Sequence, residues 1–203
     1  MTATTVRVPE RPRAGEELRN NLLMILVIAV ALILAWVLMS LVESRMAAYN
    51  APDGSRAVKY PAGWVLAAAS DPDTLLEVYD AKAASTYHPT FRVQRRAAPQ
   101  GQSLLDAATA QSLRRRGALR EYQELRTEEA TVAGQRAIRV NYGYVADPPA
   151  GAGLATLPVV VEATDLLVMR DGQLLVFTMA SEAGSAEAYQ RVFGRILRSI
   201  RLK

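Results

Sequence analysis

The side chains with chemistry to offer are one histidine, a few neighbouring carboxylates and a run of arginines. His88 is the single histidine of the chain, set in "TYHP" beside Pro89. A catalytic base or metal ligand needs partners at a workable spacing. No further ligand stands near His88, so it is read as an exposed or locally bonded loop residue. Glu128 and Glu129 are adjacent, and adjacent side chains of a strand leave on opposite faces, which argues against a paired-carboxylate site. Glu162 and Asp165 also oppose one another on a regular strand and are read as surface partners for Arg170. Arg114, Arg115 and Arg116 crowd the end of a helical stretch, where the macrodipole favours cations. Their competing use is an anion or partner patch. With no aromatic interleaving, nucleic acid is not an expected partner. Asp147–Pro148–Pro149 reads as a stiff loop.

The chain contains no cysteine. That excludes disulfides, thiolate metal sites, a cysteine nucleophile and a lipid-modified cysteine anchor. Nor is there a G-x-S-x-G elbow, a glycine-rich phosphate loop or an H-E-x-x-H pair. The expected site residues are therefore none for catalysis, none for a cofactor and none for a metal. No cofactor is implied, and the protein is read as a non-enzyme.

The elements that position these side chains fall into four parts. Residues 1–21 form a short tail carrying Arg7, Arg11, Arg13 and Arg19. Leu22 to Val42, "LLMILVIAVALILAWVLMSLV", hold no charged residue and span roughly 30 Å as a helix, the thickness of a bilayer core. The stretch exceeds the apolar region of an ordinary signal peptide, and "ESRMAAYN" after it is a poor cleavage site, so a retained membrane anchor is expected. Its C-terminal flank carries fewer cations, Arg45 and Arg56 with Lys59 slightly beyond. The positive-inside rule then places the N-terminus in the cytoplasm and the rest outside it, periplasmic or external. Residues 43–55, with Pro52, Asp53 and Gly54, read as a linker. Residues 56–203 form the exported domain.

Within that domain "RAVKY", "WVLAAA", "TLLEVYD" and "TFRVQRR" read as strands. Ser103–Arg116 read as a helix, with Ser103 and Asp106 forming a capping box, Leu104, Leu105, Ala108 and Ser112 on one face, and Gly117 as the stop. "YQELRTEEATV" and "QRAIRVNYGYV" flank Ala133–Gly134, and two apolar runs flank Asp171–Gly172; both dipeptides read as hairpin turns. The chain closes with a helix whose stripe is Tyr189, Val192, Ile196 and Ile200, with Phe193 and Leu197 beside it. Gly194 is expected to let this helix approach a sheet closely. In "YPAGW", Pro61 ends a strand, Gly63 turns the chain and Trp64 anchors a core. Hairpin-linked strands and stripe-bearing helices together give an α+β fold with an antiparallel sheet.

The "YPAGW" strand end, "GQRAIRVNY" after "TEEATV", the hairpin "LLVMRDGQLLVFTMASE" and the close "YQRVFGRILRSIRL" carry a resemblance. Together, over roughly residues 55–203, they resemble the PsbP-like family in the form of a bacterial, membrane-anchored member. The resemblance implies an antiparallel sheet sandwiched by helices (α/β/α). It also implies a binding or assembly module without a catalytic constellation, associated with a membrane protein complex of unstated identity. The anchor and the single histidine depart from the photosynthetic members and argue against a role in oxygen evolution. The expected function is a membrane-anchored module that stabilises a membrane complex, its other partner being the bilayer through Leu22–Val42. The alternative is an envelope protein binding a small ligand or lipid between the sheet and the terminal helix.

Overall fold

The computed structural model describes residues 14–43, 45–51, 56–68, 71–147 and 157–202. It divides into two compact units, Met1–Ser44 and Arg45–Lys203. The first is described through one helix, α1 (Ala14–Glu43). Within it Asn21–Met39 form an apolar span of 19 residues with none of its surface buried. That span is about 28 Å long, enough to cross a bilayer core. Arg7, Arg11 and Arg13 lie outside the described residues, as do Pro148 and Pro149 of the stiff loop and Pro52–Gly54 of the linker.

The second unit is α+β, as the residue pattern predicts. Its strands are β1 (Met46–Asn50), β2 (Arg56–Pro61), β3 (Val65–Leu66), β4 (Thr74–Tyr79), β5 (Thr90–Ala97), β6 (Arg120–Val132), β7 (Gln135–Ala146), β8 (Val159–Arg170), β9 (Gln173–Glu182) and β10 (Arg201–Leu202). Its helices are α2 (Leu104–Ala118) and α3 (Ala186–Ser199). A main sheet of seven strands runs β3-β4-β5-β9-β8-β7-β6, every neighbouring pair antiparallel. A smaller sheet runs β1-β2-β10. Ala133 and Gly134 both take positive φ, 49° and 78°, and so do Asp171 and Gly172, 51° and 70°. Positive φ at both central residues is the hairpin geometry whose twist matches the flanking strands.

Alternation along the main sheet builds two cores. Leu166, Val168, Leu175 and Phe177 face one way and pack with Val58, Trp64, Phe193, Ile196 and Ile200. Leu167, Leu174 and Val176, one step out of phase, face the other way and pack with Ala107 and Ala108 of α2. One layer over the sheet is therefore α2, and the other is α3 side by side with the small sheet.

Four local expectations are corrected. The stretch read as a linker, 43–55, contains β1, and the second unit starts at Arg45. Its residues have no marked strand propensity; β2 supplies the pairing, Met46↔Pro61 through Asn50↔Ala57, and a distant partner overrides local preference. The "WVLAAA" strand shrinks to Val65–Leu66, both exposed at the sheet edge. Helix α2 runs through Gly117 to Ala118, and its cap is the Leu119 N–H on the Arg115 carbonyl (2.8 Å). Its buried face is Ala107, Ala108 and Gln111, whereas Leu105 is exposed. The capping box at Ser103 and Asp106 is present as read.

Candidate functional site

The terminal helix does not cover its whole face of the sheet. Beyond Phe193 and Leu197 the β6–β7–β8 end stays open, leaving a groove of about 640 Å³. Its floor is Arg139 and Asn141 of β7, Glu162 and Thr164 of β8, and Met179 and Ser181 of β9. One wall is α3, with Ala186, Gln190, Phe193, Gly194 and Leu197; the other is Leu125 and Arg126 of β6. The floor residues share a face because they alternate with the buried row Val140, Tyr142, Ala163 and Asp165.

Several polar groups of the groove are already engaged. The Thr164 hydroxyl donates to Asn141 Oδ1 at 2.8 Å across the β7–β8 pair. Glu128 accepts from Arg126 at 2.8 Å and from Arg139 at 3.1 Å. These pairs are part exposed and contribute little stability individually, about 0 to 1 kcal/mol each. They fix where charge stands along one rim. Gly194 does not bring helix and sheet together, contrary to expectation: a Cβ there would meet only Arg198 Nη1, at 3.6 Å. The glycine lines the groove instead.

The opposite face holds a strongly organised polar cluster. Asp165 is 1% exposed. Arg115 grips it with a two-pronged fork, Nε to Oδ2 at 2.9 Å and Nη2 to Oδ1 at 3.0 Å. Gln111 Nε2 donates to Oδ2 at 3.0 Å, and the hydroxyls of Thr178 and Tyr142 donate to Oδ1 at 2.7 and 3.2 Å. Gln111 in turn accepts from Arg96 at 2.7 Å. Burial pulls the Arg115 pKa down, but the Asp165 carboxylate outweighs it and the guanidinium is held more firmly protonated than usual. Burial first, then the Asp165 charge, pushes the Tyr142 phenol well above its ordinary value. Every carboxylate oxygen is committed, so the cluster is a clasp binding α2 to the sheet and has no open position for a substrate.

Asp165 therefore corrects two readings, since it is a buried partner of Arg115 and not a surface partner of Arg170. Arg170 pairs with Asp171 at 3.2 Å, while Glu162 is exposed at the groove. One arginine of the triple has a structural use beyond the macrodipole. A signal was present: Asp165 shares its parity with Val161, Ala163 and Leu167, an otherwise apolar row, and Gln111 and Arg115 continue the Ala107/Ala108 face at helical spacing. Glu128 and Glu129 leave on opposite faces as read, Glu128 to Arg139 and Glu129 to Arg136. His88 is exposed and lies 5.7 Å from the Tyr79 ring. Among the described residues no group of three histidine or acidic side chains could hold a metal ion.

No protein-family model matches the chain, and no curated sequence does. Solved structures do match. Cyanobacterial PsbP from Synechocystis sp. superposes with TM-score 0.56 at 16% identity, over 78% of this chain and 92% of that one. LpqN of Mycobacterium tuberculosis, involved in cell envelope biogenesis, gives 0.56 at 11%, over 78% and 91%. The Ran-binding protein Mog1p of Saccharomyces cerevisiae gives 0.53 at 11%, over 78% and 95%. At these identities the likeness is one of fold: an antiparallel α+β domain of the PsbP and Mog1 kind, here preceded by an apolar helix long enough to cross a membrane.

Proposed function

We propose that this chain is a membrane-anchored, non-catalytic relative of the PsbP-like modules. In this reading Asn21–Met39 hold it in the bilayer, and Arg45–Lys203 lie outside the cytoplasm, where they associate with and stabilise a membrane protein complex. The observation that carries the reading is the groove beside α3. It is wide, open and mixed in lining, with charge fixed along one rim by Arg126, Glu128 and Arg139. A surface of that kind suits a segment of another protein better than an acyl chain. Among the described residues an enclosed apolar void under the small sheet measures only about 10 Å³, room for one water at most. The shared fold with an envelope-biogenesis protein is in keeping with this reading.

The test is photo-crosslinking of the full chain in its native membrane. A crosslinker at Gln190 or Asn141 is expected to capture one partner in fixed ratio, and one at Leu113, on the opposite layer, is expected not to. Equal capture from both layers, or none from the groove, would overturn the reading. An export-dependent reporter fused after Lys203 is expected to be active; activity of a cytoplasmic reporter instead would reverse the topology.

The position of the groove, between sheet and terminal helix, also favours a second reading in which the occupant is a small polar ligand. That occupant would raise the melting temperature of the purified chain and leave the crosslinking pattern empty.

A further inference from the structure

The outward face of α3 is basic. Arg191, Arg195 and Arg198 follow one another at helical spacing, and all three line one exposed face. The small sheet continues that surface. Its outward residues include Lys59 of β2 and Arg201 of β10, both exposed, while Val58 between them and the core turns inward. Helix and sheet are stitched together at this point: the Ser199 hydroxyl accepts from the Lys59 N–H at 2.8 Å and donates to the Ile196 carbonyl of its own helix at 2.6 Å. Among the described residues none of these five cations has an ion pair, and Glu187 is the one acid of the described layer. Elsewhere on the domain several arginines are matched to acids, as at Arg92–Glu77, Arg120–Asp147 and Arg136–Glu129. Arg95, Arg114 and Arg116 are also exposed without an ion pair among the described residues, so what sets this layer apart is five exposed cations set against one acid.

That layer also contains the strand nearest the tether along the chain. Only Ser44 and Arg45 separate the end of α1 at Glu43 from β1, and β1 is a strand of the small sheet. Three residue steps reach about 10 Å at most. The small sheet is therefore the first part of the domain to leave a bilayer that holds α1.

We infer that the Arg191/Arg195/Arg198 stripe, with Lys59 and Arg201, docks on the anionic phospholipid headgroups of the membrane that anchors the chain. This rests on the anchoring reading above. Docked in this way, the domain is oriented by its own membrane and not only tethered to it. A surface of several cations close to anionic headgroups is the recognised basis of such attraction.

The chain has no cysteine, so Ala188→Cys, on the same face of α3, gives a unique labelling site. The labelled full chain is placed in nanodiscs of phosphatidylcholine, with and without phosphatidylglycerol, each carrying a headgroup energy-transfer acceptor. Transfer is expected to rise with phosphatidylglycerol and to fall back in high salt. The triple variant Arg191→Glu, Arg195→Glu, Arg198→Glu is expected to lose that rise while keeping its circular dichroism. Lysine at the same three positions is expected to retain it. Transfer independent of lipid charge in wild type, or a rise that survives the glutamate variant, would overturn the inference. A rise that appears only when a second, acidic protein is added would also overturn it. Release of the chain from membranes by alkaline carbonate would remove the anchoring reading, and this inference with it; integration without lipid dependence would remove this inference alone.

Discussion

Trp64 sits where three rings meet. It stands edge-on to Phe193 at 6.1 Å and tilted against Tyr189 at 6.4 Å, in the turn closed by its own N–H on the Pro61 carbonyl. It is a core residue, so "YPAGW" is a turn with an anchor. Trp64→Ala is expected to cost about 3 to 5 kcal/mol in urea unfolding of the full chain. In a Trp36→Phe background its emission is expected to be blue-shifted and shielded from iodide; exposed emission would overturn this placement. Ala133 offers the opposite change. It holds φ of 49° in the β6–β7 turn, a region that costs a residue with a Cβ about 1 kcal/mol and that asparagine tolerates better. Ala133→Asn is expected to raise stability by roughly 0.5 to 1 kcal/mol, read as a higher urea midpoint; an unchanged or lower midpoint would count against that turn geometry.

The two helices of the domain are held by different means. Helix α3 uses an apolar stripe with Ile196 fully buried at its centre. Ile196→Asp is expected to unfold the domain, since an unpaired buried carboxylate costs several kcal/mol against a total of about 5 to 15. Arg195→Asp, one step round the helix, is expected to cost about 0.5 kcal/mol or less; equal losses would mean the stripe does not face the sheet. Helix α2 has only Ala107 and Ala108 as buried apolar contacts and depends on the Asp165 clasp. Asp165→Ala is expected to cost about 3 to 5 kcal/mol by stranding the Arg115 charge, and Asp165→Leu with Arg115→Met to recover much of it. A single loss below about 1 kcal/mol would show that α2 is held by something else. This contrast explains what the sequence disclosed. The stripe of α3, the capping box and both hairpin dipeptides are local, so periodicity and turn chemistry reveal them. The clasp joins residues 50 positions apart, and β1 exists only because β2 lies beside it. The groove is likewise a place that α3 leaves uncovered, and uncovered floor has no motif of its own.

Phenols set the response of the whole domain to alkali. Burial raises Tyr87, Tyr142 and Tyr144 above the ordinary phenol value. Tyr189 is pushed up to about 12 by burial and by its hydrogen bond to Asp80. These groups keep their protons in the folded state at a pH where the unfolded chain releases them, near 10. Above that value the unfolded state binds fewer protons, so stability falls as pH rises. Urea midpoints are expected to be level up to about pH 9 and to drop beyond pH 10, less steeply in Tyr189→Phe. A midpoint that rises above pH 10 would overturn the assignment. The small sheet has a further consequence, in time. Strand β2 pairs on one side with β1 and on the other with β10, and Lys59 meets Ser199 across 140 positions of sequence. Contacts of that span form late, because a long loop must close before they reward it. A chain made from its N-terminus has β2 early but cannot finish the sheet until residue 202 exists. Between those moments the core under Val58 stands open on one side. The growing domain is then a half-closed shell, sealed by β10, the latest of its described strands to be made.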